Sequence, residues 1–470
     1  MANSRKSRSP SGNSTRSLEL EFERALADIV ARVSFSGGVS HIGVAFSGGL
    51  DSSVLLHLAS RHAEAHHLAL TAYHVHHGLS PNADAWMAHC EQAAAACGVA
   101  LLTRQVDVGD VQGRGTEEAA RIARYRALGE MCRESGCRLL LTAHHQDDQA
   151  ETVLLQLMRG AGLPGLSGMA PLQVRHELMG DDVSLGRPLL GCTRAQLEQA
   201  RDASGLQHVS DESNSDLRYR RNALRNTVTP LLEQHFPGFA TRVARSAGHA
   251  QVAQSLLQDL AEIDLALCHA ASWGDPLHVP VLKTLAPARA DNLLRHWLYQ
   301  NRVALPSQAR LEEMRSQMLD AAHDMHPFFD FGAMVLRRIG SRLELHPRLG
   351  TPPEEPVELH WQGEAAIAVP AWRGTLVFEV TDGTGLPRAV LLRHGLMLHR
   401  RSGQERLKLA ANRPSRSLKA LYQAAEIAPW RRLWSPLLYV NGELVFAAGL
   451  GMDVRHLAMG ESVALRWVPD

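Results

Sequence analysis

From about Leu18 to Pro230 short apolar runs alternate with stretches of helical periodicity. HIGVAF (His41–Phe46), LALTAYHV (Leu68–Val75), VALLTRQV (Val99–Val106) and RLLLTAH (Arg138–His144) have the length and continuous apolarity of buried strands. SSVLLHLASRHAEA and DAWMAHCEQAAAACG, between them, read as helices, the second ending on a Gly cap signal. Such alternation predicts an α/β fold, a doubly wound parallel sheet with helices on both faces and ligands at the carboxyl ends of its strands. From about Phe239 to Ala322 the pattern turns helical, and a β-like patch, MVLRRIGSRLELH, follows. PRLGTPPEEPVELH (Pro347–His360) reads as a linker. Beyond it TLVFEV, AVLLRH, LLYVNGELVFAAG and ESVALRWV alternate like strands, with a hairpin signal at Asn441–Gly442, and SLKALYQAAEI reads as a helix. The expected division is a tail (1–18), an α/β domain (19–235), a mainly helical middle domain (236–346), a linker (347–360) and a small mixed α/β domain (361–470).

Composition narrows the classes. Lys+Arg and Asp+Glu are each 49 among 470 residues, so a bulk polycation is excluded. A nucleic-acid partner is not, because clustering decides that question. Between Arg400 and Arg432 nine basic residues (Arg400, Arg401, Arg406, Lys408, Arg413, Arg416, Lys419, Arg431, Arg432) face two acidic ones (Glu405, Glu426), which suits contact with a polyanion. Trp430 and Trp434 at its end could stack on bases or fill a core. No apolar run reaches about 18 residues, so no membrane partner is expected. The six cysteines form no C-x-x-C pair and read as free thiols of a reducing compartment, which weakens zinc-ribbon and iron–sulfur readings. The first 18 residues read as a disordered, weakly basic tail without a signal-peptide core, a transit peptide being the lesser alternative.

The chemistry concentrates at the strand ends. HIGVAF runs into Ser47-Gly48-Gly49-Leu50-Asp51-Ser52 and then an apolar helix. Two glycines allow a tight turn, and the free N–H groups at the helix start make an anion site. Ser47 and Ser52 add hydroxyls, and Asp51 can hold a cation against phosphates. The lysine of a Walker loop is missing, which points to reaction at the α-phosphate with pyrophosphate leaving. The alternative is an ordinary Gly-rich turn. His74, His76 and His77 end the next strand; polar groups of a pocket fit them better than a metal site, since alternation splits them between two faces. If a helix starts near His144, then His144, Asp147, Asp148 and Glu151 share one face. In DESNSDLRYRRNALR (Asp211–Arg225), Arg221 and Arg225 share a face and suit phosphate; alone, the segment would read as a solvated charged surface.

SGGLDSS after a buried strand resembles the phosphate loop of the N-type ATP pyrophosphatases. With HVHHGLS, GTEEAARIARYRAL, AHHQDDQAETVLLQLMRGAGLPGLSGM and DESNSDLRYRRNALR it closely resembles the tRNA(Ile)-lysidine synthetase family. RRSGQERLKLAANRPSRSLKALYQAAEIAPWRRLWSPLLYVNGELVFAAGLGMD is similar to that family's carboxyl-terminal domain. The resemblance covers most of the chain from Ser47, most weakly the helical middle, and implies an adenine nucleotide alpha hydrolase-like first domain. It implies a cytoplasmic ligase that uses ATP and Mg²⁺ to join L-lysine to the wobble cytidine of the isoleucine tRNA with a CAU anticodon, through an adenylated tRNA, releasing AMP and pyrophosphate. Codon reading would change from AUG to AUA and identity from methionine to isoleucine. On that reading Ser47, Gly48, Gly49, Leu50, Asp51 and Ser52 bind nucleotide and Asp51 also the metal. Asp51, Arg121, His144 and Arg225 are the catalytic candidates. Asp147, Asp148, Glu151, Arg124, Arg221, Arg400, Arg401, Arg416, Lys419 and Arg431 are candidates for lysine or tRNA, and whether Asp147 or Asp148 serves metal or lysine stays open. So does a homodimer. The competing readings are a tRNA thiolase of the same superfamily and a catalytically inactive, nucleotide-sensing RNA-binding protein.

Overall fold

The computed structural model describes residues 10–33, 38–76, 78, 82–107, 116–174, 176–180, 182–210, 212–322 and 325–470. Two compact units divide the chain, one up to Asp259 and one from Leu260. In the first, α1 (Pro10–Arg32) precedes β1 (His41–Ala45), α2 (Leu50–His66), β2 (Ala69–His76), α3 (Ala83–Ala96), β3 (Ala100–Gln105), α4 (Thr116–Glu134), β4 (Leu139–Leu141) and α5 (Gln146–Met158). β5 (Leu172–Val174), β6 (Ser184–Gly186) and α6 (Arg194–Ser204) follow. The six strands lie in the order β3-β2-β1-β4-β6-β5, all parallel except β5, which runs antiparallel to β6. The winding reverses between β1 and β4, the place where an open parallel sheet leaves a crevice for ligand.

Residues buried on both sheet faces explain the continuous apolar runs. Ile42, Val44, Leu139 and Leu141 pack with Leu55, Leu56 and α1 on one face, while Leu140 packs with Tyr73, Tyr125 and Met131 on the other. Leu18, Phe22, Leu26 and Ile29 form the helical stripe by which α1 joins that core. The tail expected through residue 18 is therefore corrected: the chain is helical from Pro10, and Leu18 is fully buried; residues 1–9 lie outside the described ones. β5 and β6 leave no mark in the sequence pattern, because three residues are too few to show a period.

A single helix, α7 (Phe239–Leu267), leads from the first unit into the second. There β7 (Leu277–His278), α8 (Pro287–Gln300), α9 (Gln308–Asp320), β8 (Phe328–Asp330), β9 (Met334–Ile339) and β10 (Arg342–Pro347) build a helical layer on an antiparallel sheet ordered β7-β10-β9-β8. Trp297, Leu293, Met314, Leu336 and Leu343 make its core. The rest contains two five-stranded antiparallel sheets around Trp372, Phe378, Leu396, Leu438 and Val463, together with a two-stranded pairing of Arg406–Leu407 with Arg416–Ser417 and the expected helix at Leu418–Ala424. The linker is shorter than expected, because Pro347 still ends β10 and Val357–Leu359 pairs with Leu396–Leu398. AVLLRH is not a strand: Arg388–Arg393 is a helix burying Leu391, and the strand comes after it. The Asn-Gly hairpin is present, with Asn441 and Gly442 both left-handed between paired Val440 and Glu443.

Candidate active site

The phosphate loop fills the crevice between β1 and β4. Gly48 has φ +79°, and a Cβ there would meet Cys90 Sγ at 2.8 Å and Val209 Cγ2 at 3.2 Å, so only glycine fits. The Val209 N–H donates to Gly48 O at 2.9 Å, holding the 206–210 segment against the loop. Ser52 Oγ accepts from Ser47 N at 3.3 Å, lies 3.1 Å from Ser47 Oγ and donates to Gly49 O at 3.0 Å. Gly49 caps α2 without a side chain, leaving the first N–H groups of that helix as an anion site. A cleft of about 500 Å³ opens above the loop, bounded also by His74, Trp86, Arg124, His144, Arg194 and Arg225.

Asp51, in the first turn of α2, reaches across to the elements after β4. Its Oδ2 accepts from Arg194 Nη1 at 3.1 Å and lies 3.8 Å from His145 Nε2. Its Oδ1 is buried and has no hydrogen-bond partner among the described residues. Burial raises the Asp51 pKa, while the His145 and Arg194 charges oppose the rise. His145 is buried beneath it, 3.5 Å from Asp147 Oδ2 and 3.4 Å from Asp148 Oδ2. Burial disfavours the imidazolium, but the carboxylates of Asp147, Asp148 and Asp51 around it outweigh that effect and raise the pKa.

The expected helix start near His144 is corrected. α5 begins at Gln146, with His145 as its extended N-cap and Asp148 Oδ2 accepting the His145 N–H at 3.1 Å. His144 still faces the cleft, with Nδ1 2.9 Å from Thr142 Oγ1, and burial lowers its pKa to about 3, so it is neutral at physiological pH. Asp147 does not bound the cleft; its Oδ2 accepts the Arg194 N–H at 2.8 Å.

Asp148 and Glu151 bind the protein's own arginines. Glu151, 3% exposed, accepts from Arg221 Nε at 2.9 Å and Arg225 Nε at 2.6 Å. Asp148 Oδ1 accepts from Arg221 Nη2 at 3.2 Å and Arg225 Nη2 at 2.7 Å. Arg225 stands on a π-helical turn, Leu224–Val228, a distortion that often re-aims a side chain at a functional site. The arginine and histidine charges hold Asp148 below the usual carboxylate range despite its burial. Asp148, Arg221 and Arg225 all face the cleft; Glu151 lies behind them.

Of the remaining candidates, Arg124 bounds the cleft with no carboxylate partner among the described residues, whereas Arg121 pairs with Glu118 at 2.8 Å outside it. His74 Nδ1 lies 2.9 Å from Phe46 O, and His76 Nε2 lies 3.1 Å from Asp84. Both bound the cleft; His77, Leu79, Ser80 and Asp211 fall outside the described residues. Arg194 and His208 also stand at the cleft, and no motif in the sequence marks them. The only local sign for Arg194 is the Thr193–Gln196 helix cap beside it, which does not reveal that the helix start faces β1. In the second unit Arg400, Arg416, Lys419 and Arg431 are largely or partly exposed, and Arg401 lies over the Tyr422 ring. Trp430 lies under the Arg337 guanidinium at 4.4 Å, and Trp434 meets Trp372 edge-on at 6.5 Å, so packing contacts engage both rings.

Residues 18–232 match the PP-loop domain family, residues 277–343 the TilS substrate binding domain and residues 396–467 the TilS substrate C-terminal domain. A tRNA(Ile)-lysidine synthase of Ralstonia nicotianae is 43% identical over 94% of this chain and 96% of its own. The chain belongs to the tRNA(Ile)-lysidine synthase family. A Burkholderia pseudomallei relative of the same name is 42% identical over 88% of this chain and 89% of its own. Every cleft residue of this lysidine synthase family member falls inside the PP-loop match, and Arg400, Arg401, Arg416, Lys419 and Arg431 fall inside the C-terminal match. No described helix is long and apolar enough to cross a membrane.

Proposed function

We propose that this chain ligates L-lysine to the wobble cytidine of the CAU-anticodon isoleucine tRNA in the cytoplasm, with ATP becoming AMP and pyrophosphate. The observation that carries this reading is one cleft holding the phosphate loop, a neutral histidine and Arg124, which has no carboxylate partner among the described residues. The cytosine carbonyl oxygen attacks the α-phosphorus, and the α–β bridging bond breaks to release pyrophosphate. The lysine ε-amine then attacks the activated ring carbon, losing a proton, and AMP leaves with the former carbonyl oxygen. The loop N–H groups and hydroxyls bind phosphate oxygens, and Arg124 faces the charge that develops at the α-phosphate.

A magnesium ion fits Asp51, whose Oδ1 is a buried carboxylate oxygen without a partner at the loop among the described residues. Bound there, it would supply charge neutralisation on the pyrophosphate. Lysine arrives as a zwitterion with a charged side chain. Asp148 suits its α-ammonium and the Arg221–Arg225 pair its carboxylate, which would leave the ε-amine toward the nucleotide. Neutral His144, which bounds the same cleft, offers that amine a hydrogen-bond acceptor. Thiolation fits less well, since no cysteine bounds the cleft among the described residues.

The test is incubation with ATP, lysine and unmodified isoleucine tRNA, following AMP and modified nucleoside together. Lysidine with AMP in equal amounts is expected. Sulfur in the nucleoside, or AMP formation that needs no tRNA, would defeat the proposal.

A further inference from the structure

Away from the cleft, the far end of α2 brings together donors that phosphate chemistry does not use. His62 and His66 stand one helical turn apart, their ring centroids 4.3 Å apart and their planes tilted by 34°. Glu23 reaches them from α1, its Oε2 2.7 Å from His62 Nδ1. One donor atom from each of the three lies within 4.8 Å of the others, and no other such group exists among the described residues. The Phe22 edge holds the His62 ring at 6.2 Å, and Arg61, the nearest positive charge in sequence, is drawn aside by Glu19. The His62 side chain is 11% exposed and that of Glu23 44%, so an ion has access while one ligand is already anchored.

We propose that Glu23, His62 and His66 form a site for a borderline divalent transition-metal ion of the zinc class, clasping α1 to α2. Two imidazoles and one carboxylate select Zn²⁺, Ni²⁺ or Cu²⁺ over Mg²⁺, which prefers oxygen ligands. The ion takes the place of the proton shared between Glu23 and His62, and water completes its shell. The site is independent of ATP binding: it lies toward the opposite end of a 17-residue helix from the phosphate loop, about 18–24 Å along the axis. Its consequence is mechanical. α1 lies over the core, and a clasp at Glu23 ties it to the helix whose other end carries the loop.

The full-length protein, stripped with a chelator, is titrated with Zn²⁺ by calorimetry and followed by thermal melting, with Mg²⁺ as control. Wild type should gain a Zn²⁺ site that weakens on acidification, because imidazoles must be deprotonated to bind. Saturation should raise the melting temperature by roughly 5 °C. His66→Gln, at an exposed position that folding tolerates, should weaken that site by at least about tenfold and remove the shift. Glu23→Gln should weaken it less. Zn²⁺ binding and melting shifts identical in wild type, His62→Gln and His66→Gln would overturn the proposal, as would no Zn²⁺ effect in wild type.

Discussion

Glu151 shares a helix face with the carboxylates that suit lysine, yet its geometry makes it the anchor of two arginines. Both of its oxygens are used, by Arg221 Nε at 2.9 Å and by Arg225 Nε at 2.6 Å and Nη2 at 2.9 Å. Glu151→Gln keeps the shape, removes the charge and turns an amide N–H₂ toward a guanidinium. Breaking a buried ion pair from one side costs about 3–5 kcal/mol, because the partner charge stays behind. Arg221 and Arg225 remain 34% exposed and keep Asp148, so the lower end, about 3 kcal/mol, applies. For a unit of this size that is a fall of roughly 6–12 °C in melting temperature. A double-mutant cycle with Arg225→Met separates this role from a direct contact with lysine. The anchor role predicts a coupling of about 1–3 kcal/mol in stability and, since the two arginines are the groups suited to the lysine carboxylate, a raised KM for lysine that comes together with the loss of stability. A melt within about 2 °C of wild type, with a raised KM for lysine alone, would refute the anchoring argument.

Other outcomes follow from the same geometry. Asp51→Asn should abolish AMP formation yet leave the melting temperature unchanged or higher near neutral pH, since burial raises its pKa and the ionised form destabilises the fold; a folded variant with near-native turnover would remove Asp51 from the reaction. Gly48→Ala combines a left-handed backbone, costing about 1–2 kcal/mol, with the 2.8 Å approach to Cys90 Sγ, so adding Cys90→Ala should restore part of the stability but not ATP affinity. His144 resists protonation, so its neutral form favours the fold and stability drains away as pH falls from about 6.5 toward about 3; His144→Gln should flatten that part of the melt-versus-pH curve. Arg416→Ala with Lys419→Ala should lower tRNA affinity and reduce the salt slope by about 0.7–0.9 for each phosphate that is no longer neutralised, without changing ATP binding.

How much of this molecule its residues declare depends on the range over which each determinant acts. Strands β1 to β4, helices α2 and α3 and the Asn441–Gly442 hairpin are set by burial and turn chemistry within a few residues, and they lie close to where the pattern puts them. The loop Ser47–Ser52 is equally local in its pattern: a strand, two glycines and a helix start follow one another along the chain. AVLLRH misleads because six residues hold too little periodicity to separate strand from helix. The start of α1 is hidden by a basic, Ser-rich composition, although Leu18, Phe22, Leu26 and Ile29 keep the helical spacing of its buried face.

The acid–base pairing could come only from the folded chain. Glu151 and Arg225 lie 74 residues apart, and Asp51 and Arg194 lie 143 apart. Read in sequence, Asp147, Asp148 and Glu151 are equivalent carboxylates near one helix start. The fold gives Asp147 to a backbone N–H, divides Asp148 between arginines and the cleft and places Glu151 behind them. Composition supplies the chemical groups, but charge and hydrogen bonding act through space, so the neighbours that neutralise a carboxylate decide its role.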